Sequence, residues 1–302
     1  DIGSNTVLML IASAEKHSKN ISPLLNMYRT PRISKGLIYG GKISENKIQS
    51  MIEILKEYKS ICESYNVGKI LVVATNAFRI AGNAVEIIER IKIETGLNIE
   101  IIDGQTEAKL SFLGSTFPNL NNEEKIVIDI GGGSTEIIYG DNHKLIYKNS
   151  FNIGVVSLSE KYFVNNKITN TELNMAESYS QKIFTELNHK LPLGIKTIAV
   201  AGTPTTLSCM IQNIKEYDET LVDYSKLTYI ELCKIIEEIT PLSAEEMFHN
   251  YGQIVQGRED VLLAGCLILK TIMENLNLKC VTVSSKGLRY GVILDYLSRN
   301  NQ

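Results

Sequence analysis

Residues 126–140 read Ile-Val-Ile-Asp-Ile-Gly-Gly-Gly-Ser-Thr-Glu-Ile-Ile-Tyr-Gly. A β-branched run carries Asp129 to its end, three glycines turn the chain, and a second β-branched run leads away. This pattern predicts strand, tight turn, strand. Glycines can take positive φ and let backbone N–H groups approach a ligand, while Ser134 and Thr135 add donors. Phosphate oxygens suit such a turn, and Asp129 could hold a hard cation or orient water beside them.

The chain opens with a second copy of this pattern. Residues 1–11 read Asp-Ile-Gly-Ser-Asn-Thr-Val-Leu-Met-Leu-Ile, with acid, glycine, small polar residues and strand in the same order. One glycine-rich hairpin beside an acid is more often an ordinary turn than a phosphate site. Two copies predict two related halves that face one anionic ligand. Because Asp1 stands at the end of a predicted strand, we expect the rest of that strand to precede it in the natural protein.

Size and composition indicate an ordinary soluble globular protein of two domains. The 302 residues are 44% hydrophobic and 22% charged, and the net charge of -3 argues against a generally basic nucleic-acid binder. The 5 cysteines show no C-x-x-C spacing and the 4 histidines no ligand spacing, which favours a reducing cytoplasm over a disulfide framework or a zinc site. The longest apolar stretch, residues 261–269, is too short to span a bilayer, and there is no N-terminal signal pattern. Neither a membrane nor a nucleic acid is an expected partner.

Apolar periodicity in the first half predicts three strands followed by alternating helix and strand, the order of a ribonuclease-H-like half. We expect strands at 4–12, 21–33, 69–74 and 97–102, and helices from Ser44, from Thr75 to near Gly96, and at 105–113. The second strand runs into a basic loop with Arg29, Arg32, Lys35 and Lys42. Such a loop is usually a solvated face, and contact with substrate is the alternative.

The polar, turn-rich residues 118–124 form the best domain boundary, which gives an N-terminal domain of residues 1–120 and a C-terminal domain of residues 121–302. Beyond it the plan restarts, with strands at 125–130, 135–139, 144–148, 197–201 and 279–283. Capping boxes at Thr169/Glu172, Thr228/Glu231 and Ser243/Glu246 open three helices. An apolar helix at 260–276 should pack in the core, and residues 286–296 should form the last helix.

Four small clusters stand at the C-terminal ends of predicted strands, where open α/β sheets gather ligands: residues 1–6, 74–83, 103–108 and 129–136. With these residues the chain resembles the exopolyphosphatase / guanosine pentaphosphate phosphohydrolase (Ppx/GppA) family. Residues 153–157, 201–203, 256–260 and 285–291 also look like its motifs, so the likeness extends through nearly the whole chain. The resemblance implies an α/β fold of two ribonuclease-H-like domains, as in the actin, sugar-kinase and chaperone ATPase superfamily, with the site in the interdomain cleft.

The resemblance also implies Mg²⁺-dependent hydrolysis of terminal phosphoanhydride bonds in inorganic polyphosphate by water attack, or of the 5′ γ-phosphate of guanosine pentaphosphate. Glu107 matches the carboxylate that activates the water. Asp129 and Glu136 match the acids that position metal and water, and Asp1 is a further metal ligand. Phosphate contacts are predicted for Gly3, Ser4, Asn5, Thr6, Arg79, Gly131, Gly132, Gly133, Ser134, Thr135, Gly202 and Thr203.

The physical demands of phosphoryl transfer agree with this assignment, since the reaction needs an in-line nucleophile, a cation and backbone donors around the transferred group. We expect Glu107, at the end of the first half, to face the second hairpin and become competent when the cleft closes. Without the resemblance, Glu107 would be a first-turn acid that complements a helix dipole, Glu136 a solvent-facing strand residue and Arg79 a surface arginine. Arg258 and Arg289 are expected to be structural or peripheral.

Three features depart from the long members of the family. Thr106 stands where they often carry another acid, Tyr290 replaces a glutamate, and the chain ends at Gln302 without their C-terminal helical domains. The chain resembles the short two-domain members, and we expect a preference for short polyphosphate. A homodimer is an open option. The rival hypotheses are a kinase or ATPase of the same superfamily, and a non-hydrolytic sensor that binds guanosine tetra- or pentaphosphate.

Overall fold

The computed structural model describes residues 1–15, 20–119, 121–163, 165 and 167–299. The elements of the first half are β1 (Val7–Ala14), β2 (Ile21–Arg29), α1 (Glu45–Ser64), β3 (Val72–Ala74), α2 (Asn76–Ile80), α3 (Ala84–Thr95), β4 (Ile99–Ile101) and α4 (Gly104–Thr116). Among these residues no helix combines the length and apolar character needed to cross a bilayer.

The second half has more elements and a larger sheet. They are β5 (Lys125–Ile130), β6 (Thr135–Gly140), β7 (Leu145–Phe151), α5 (Val155–Tyr162), α6 (Asn170–Phe184), α7 (Leu187–Lys190), β8 (Thr197–Val200), α8 (Gly202–Ile211), α9 (Glu219–Val222), β9 (Lys226–Thr228), α10 (Tyr229–Ile239), α11 (Ala244–Tyr251), a 3₁₀ turn (Gly252–Val255), α12 (Leu262–Asn275), β10 (Cys280–Ser284) and α13 (Leu288–Arg299).

The two halves repeat one strand plan, as the paired hairpins predict. The second sheet has the order β7-β6-β5-β8-β10-β9, with β5 antiparallel to β6 and parallel to β8. In the first half Ile2 takes the place of β5, because it bridges Val7 on β1 in antiparallel fashion and Ala74 on β3 in parallel fashion. The resulting order is β2-β1-Ile2-β3-β4. The prediction of two ribonuclease-H-like halves is confirmed.

Apolar residues at the predicted spacings form two large cores, one in each half. Helix α1 buries residues such as Ile48, Ile52 and Leu55 against the first sheet. Helix α12 is buried along nearly its whole length in the second core. Apolar surface that is withdrawn from water stabilises the fold by roughly 25 cal/mol per Å². The apolar face of each helix therefore determines which side of the helix packs on the sheet.

Helices α4 and α13 join the two halves. Helix α4 packs on β5, β6 and β7 of the second sheet, whereas α13 packs on α4 and on β1 of the first sheet. The two helices cross so closely that a Cβ on Gly291 would overlap the carbonyl oxygen of Leu110, and one on Gly114 would overlap the carbonyl oxygen of Gly287. The predicted division at residues 118–124 follows α4 and stays a prediction.

Several predicted element bounds were wrong, for identifiable reasons. The first strand begins at Val7 instead of residue 4, because the amide of Gly3 donates to the carbonyl of Thr6 and closes a turn. The helix predicted from Thr75 to Gly96 is interrupted at residues 81–83, where the amide of Gly82 donates to the carbonyl of Gly41. Elements β9, α5, α7 and α9 had no predicted counterpart, whereas the three capping boxes are present as predicted.

Candidate active site

The first glycine turn, residues 1–6, lies beside a cavity of about 470 Å³ between the halves. Its backbone is fixed because the amide of Gly3 donates to the carbonyl of Thr6 at 2.9 Å. Ser4 and Asn5 are buried, and Asp1, Asn5 and Thr6 line the cavity. The predicted phosphate-binding residues Gly3 to Thr6 therefore share one rigid turn.

The second glycine turn, residues 131–134, closes with a 2.9 Å hydrogen bond from the amide of Gly131 to the carbonyl of Ser134. The start of α5 supports it, since the amide of Val155 donates to the carbonyl of Gly131 at 3.0 Å. Thr135 is fully buried, and its hydroxyl donates to the carbonyl of Ile153 at 2.6 Å. Thr135 thus holds the end of the turn in place, and its contact with phosphate stays a prediction.

The two turns touch each other, and glycine is what permits it. A Cβ on Gly132 would lie 2.9 Å from the Cβ of Ser4, and a Cβ on Gly133 would lie 2.8 Å from the side-chain nitrogen of Asn76. Real Cβ atoms do not approach that closely. The glycines at these positions are therefore required for the first and second halves to meet, as two hairpins facing one ligand would need.

The three predicted catalytic acids come together on one face of the second sheet. Asp129 on β5 lies directly opposite Glu136 on β6, so the two side chains project from the same face. Helix α4 packs on that face through Ala108 and Phe112. Its Glu107 therefore reaches both acids through the packing of one helix on one sheet. Helix α4 already packs on the second sheet in this structure, and the expectation that Glu107 becomes competent when the cleft closes stays a prediction.

Glu107 is held by an arginine from the first half. Nη1 of Arg79 donates to Oε2 of Glu107 at 2.5 Å and to the carbonyl of Ile102 at 3.0 Å. Glu107 is only 8% exposed, and burial raises the pKa of its carboxyl to about 7, although Arg79 acts in the opposite direction and Asp129 adds to the rise. A carboxyl of this kind titrates near neutral pH, which is the range in which a general base works best.

The other two acids are each held by a serine hydroxyl. The hydroxyl of Ser111 on α4 donates to Oδ2 of Asp129. The hydroxyl of Ser150 on β7 donates to Oε1 of Glu136 at 2.6 Å. Burial raises the pKa of both acids, and for Glu136 the charges of Glu107 and Asp129 add to it. Sequence reasoning missed both serines, although Ser111 stands one helical turn after Glu107.

Two partly buried arginines also line the cavity. Arg258 donates from Nη1 to the hydroxyl of Thr206 at 2.9 Å, and a Cβ on Gly202 would lie 2.7 Å from its Nε. Arg289 lines the same cavity, and so do the predicted phosphate contacts Gly202 and Thr203. Burial lowers the pKa of both guanidinium groups, because each charge has been taken out of water. Arg258 and Arg289, expected to be structural or peripheral, thus face the cavity that an anion would fill.

The residues of the cavity fit a hard divalent cation. Oδ1 of Asp1 and Oδ1 of Asn5 are buried without a hydrogen-bond partner among the described residues, and Asp129 lines the same cavity. Mg²⁺ prefers oxygen ligands and is often held by one or two carboxylates together with substrate phosphate and water. Glu136, also predicted as a ligand, is absent from the cavity lining within the described part of the chain, as is Glu107. No group of three or more His, Cys, Asp or Glu side chains is arranged for a metal within that part.

Ion pairs and a hydrogen bond join the two halves. Nη1 of Arg32 in the first half lies 2.7 Å from Oδ2 of Asp260 in the second, and Nη2 lies 3.5 Å from Glu259. Lys35 lies 3.8 Å from Asp260, and the amide of Gly36 donates to Glu160 at 2.6 Å. Two cations of the predicted basic loop, Arg32 and Lys35, therefore form ion pairs between the halves.

Comparisons with known proteins concern the chain as a whole. A family profile described as the Ppx/GppA phosphatase family matches residues 10–300. The bifunctional 3-dehydroquinate synthase/phosphatase of Fusobacterium nucleatum subsp. nucleatum is 32% identical over 309 residues, 98% of this chain and 46% of that protein. A crystal structure of the Aquifex aeolicus member of the Ppx/GppA family is 31% identical, with a TM-score of 0.83 over 100% of this chain and 97% of that one. An exopolyphosphatase from Cytophaga hutchinsonii is 24% identical, with a TM-score of 0.88 over 98% and 96% of the two chains, which shows the fold alone.

The matches cover different shares of the proteins compared. The chain spans about half the length of the curated relative that it matches. The profile, by contrast, covers nearly the whole chain, from β1 to the end of α13. The chain therefore belongs to the Ppx/GppA phosphatase family.

Proposed function

We propose that the chain is a Mg²⁺-dependent exopolyphosphatase that hydrolyses terminal phosphoanhydride bonds of inorganic polyphosphate by water attack. The observation that carries this proposal is the state of Glu107. Its carboxyl is buried, has a pKa of about 7, and lies in one cluster with Asp129 and Glu136. An ordinary exposed glutamate is a much weaker base, because its pKa lies near 4.3.

The base acts on a water positioned beside the terminal phosphate. Glu107 takes a proton from that water while the water oxygen attacks the terminal phosphorus. The bond between this phosphorus and the leaving phosphate oxygen breaks. Arg79 fixes one carboxylate oxygen of Glu107, which leaves Oε1 to accept the proton. Proton removal by a positioned side chain typically contributes about 10² to 10⁴ in rate.

The cavity is suited to the rest of a polyanion. Arg258 and Arg289 supply positive charge away from bulk water, where it interacts strongly with phosphate. Residues of both glycine turns line the same cavity, among them Thr6 and Gly132, and their backbone N–H groups would bind phosphate oxygens. Asp1, Asn5 and Asp129 would hold the cation, which when bound neutralises phosphate oxygens.

A relative supports phosphatase chemistry without choosing the substrate. The F. nucleatum protein is named in part as a phosphatase. Guanosine pentaphosphate remains the alternative substrate. A non-hydrolytic sensor would have no use for a base with a pKa near neutrality, which is the feature that favours an enzyme.

The test is Mg²⁺-dependent orthophosphate release from tripolyphosphate, long polyphosphate, guanosine pentaphosphate and ATP. We expect release from polyphosphate, and we expect Glu107→Gln to lower it by about 10² or more while substrate binding, measured by calorimetry, persists. Undiminished release by Glu107→Gln would refute the base assignment. Release from guanosine pentaphosphate alone would select the alternative substrate, and binding without release from any compound would select the sensor.

A further inference from the structure

Ser111 makes a contact that its place in a helix does not explain. Buried serine and threonine side chains in helices usually donate to a backbone carbonyl of the preceding turn. Ser115 and Thr116 do so in the last turn of α4, where both donate to the carbonyl of Phe112. The hydroxyl of Ser111 donates instead to Oδ2 of Asp129, on a strand of the sheet below.

Apart from the cluster of acids, the neighbours of Ser111 are apolar. Ser111 is fully buried, and its helix neighbours Ala108 and Phe112 belong to a core cluster with Val127 and Ile138. An apolar side chain would fill such a position without the cost of burying a hydroxyl. The hydroxyl is therefore explained by its partner, the carboxylate of Asp129.

Asp129 contacts both helix α4 and the cavity. Oδ2 of Asp129 is tied to α4, whereas the residue also lines the cavity in which the side-chain oxygens of Asp1 and Asn5 are buried without a partner. The bond to Oδ2 fixes the rotation of the carboxylate and leaves Oδ1 as its oxygen for a ligand. A carboxylate free to rotate would have to be ordered each time a cation bound.

We propose that Ser111 is a positioning residue that orients Asp129 as a ligand of a divalent cation in the cavity. The identity of that cation as Mg²⁺ rests on the proposed function. Ser111 follows Glu107 by four residues on α4, so the two side chains lie on one face of the helix. One rigid helix thereby sets both the base and the orientation of the cation ligand, which fixes the attacking water relative to the cation.

The expected effect follows from the loss of a partner that orients a ligand. Removal of such partners typically lowers metal affinity or activity by about 10- to 100-fold. We therefore expect Ser111→Ala to raise both the dissociation constant for Mn²⁺ and the half-activating concentration of Mg²⁺ by about 10- to 100-fold. The KM for the phosphate substrate at saturating Mg²⁺ should change far less, because substrate phosphates contact other residues.

Two further variants separate positioning from packing. Ser111→Cys keeps the shape of the side chain, with a larger atom in place of the hydroxyl oxygen, but supplies only a weak donor, so it should lose most of the affinity that Ser111→Ala loses. Ser115→Ala removes a buried hydroxyl from the next turn of α4 that bonds a backbone carbonyl, and it should leave Mn²⁺ affinity within about twofold of the wild type.

The measurement is Mn²⁺ binding to the metal-free chain by electron paramagnetic resonance, with Mg²⁺ titrations of phosphate release beside it. Equal Mn²⁺ affinity of Ser111→Ala and Ser115→Ala would overturn the inference, as would the absence of any Mn²⁺ site in the wild type. Wild-type affinity in Ser111→Cys would also overturn it. Ser111-dependent Mn²⁺ binding without phosphate release from any candidate substrate would uphold the inference and reject the proposed function.

Discussion

Replacing Glu107 by glutamine should raise the stability of the protein relative to the wild type as the pH rises, and it would remove the proposed base. Burial raises the pKa of this carboxyl from its ordinary value of 4.5 to about 7 in the folded chain. A carboxyl whose pKa rises on folding favours its neutral form in the folded state, so ionisation costs stability. That cost is absent below pH 4.5, grows between pH 4.5 and 7, and is complete above about pH 7.

The size of the effect follows from the two pKa values. A rise from 4.5 to about 7 corresponds to a full cost of about 3 kcal/mol, most of which develops between pH 5 and pH 8. Glutamine does not titrate, so the free energy of unfolding of Glu107→Gln minus that of the wild type should rise by roughly 2 to 3 kcal/mol over this interval. The lost partner of Arg79 affects the variant equally at both pH values, because arginine stays charged. Relief of the repulsion on Glu136 acts in the same direction as the main effect.

The assay is urea unfolding of both proteins at pH 5 and pH 8, with Glu86→Gln, an exposed glutamate of α3, as the control for the chemical change itself. The prediction concerns the change in the difference between variant and wild type, not either free energy alone. A difference that is the same at both pH values would refute the claim that Glu107 is buried with a raised pKa. A difference that falls with pH would show that its pKa is depressed by Arg79.

Three other outcomes are expected. The kcat/KM for phosphate release should rise with pH through a single ionisation near pH 7, the pKa of Glu107; a flat profile from pH 5.5 to 8.5 would contradict this assignment. Gly291→Ala should cost about 3 kcal/mol or more, or prevent folding, because its methyl group would overlap the backbone of α4, whereas Gly68→Ala, in open space, should leave the melting temperature nearly unchanged. Arg32→Glu should raise the ratio of open to closed molecules by up to about fivefold, and Asp260→Arg in the same chain should restore the original ratio. Fluorescence energy transfer between labels on the two halves measures this ratio.

Much of the fold could be predicted because local signals and burial agree. Strand β5 has the predicted bounds, since its β-branched run is buried on both faces and ends at a glycine turn. The capping boxes at Thr169, Thr228 and Ser243 begin helices as predicted, because serine or threonine and glutamate three residues later satisfy each other's backbone donors. The break between α2 and α3 could not be predicted, since it depends on a loop at Gly41, forty residues earlier in the chain.

The site, like the fold, has residues that could be predicted from the sequence and residues that could not. The sequence places Glu107, Asp129 and Glu136 at element ends, and the fold brings them into one cluster. What sequence reasoning missed is the set of partners supplied by other elements, Ser111 and Ser150, because a serine carries no motif of its own. The sequence signal for Ser111 was its spacing, four residues after Glu107 on one helix.

The crossing of α4 and α13 has a mechanical consequence. Since α4 packs on the second sheet, Glu107 would move together with Asp129 and Glu136 if the two halves moved apart. Arg79 lies on α2, in the first half. Opening of the cleft would therefore separate the guanidinium of Arg79 from the carboxylate of Glu107 and admit water, and closure would restore their contact. The proton affinity of Glu107 would then report whether the cleft is open or closed.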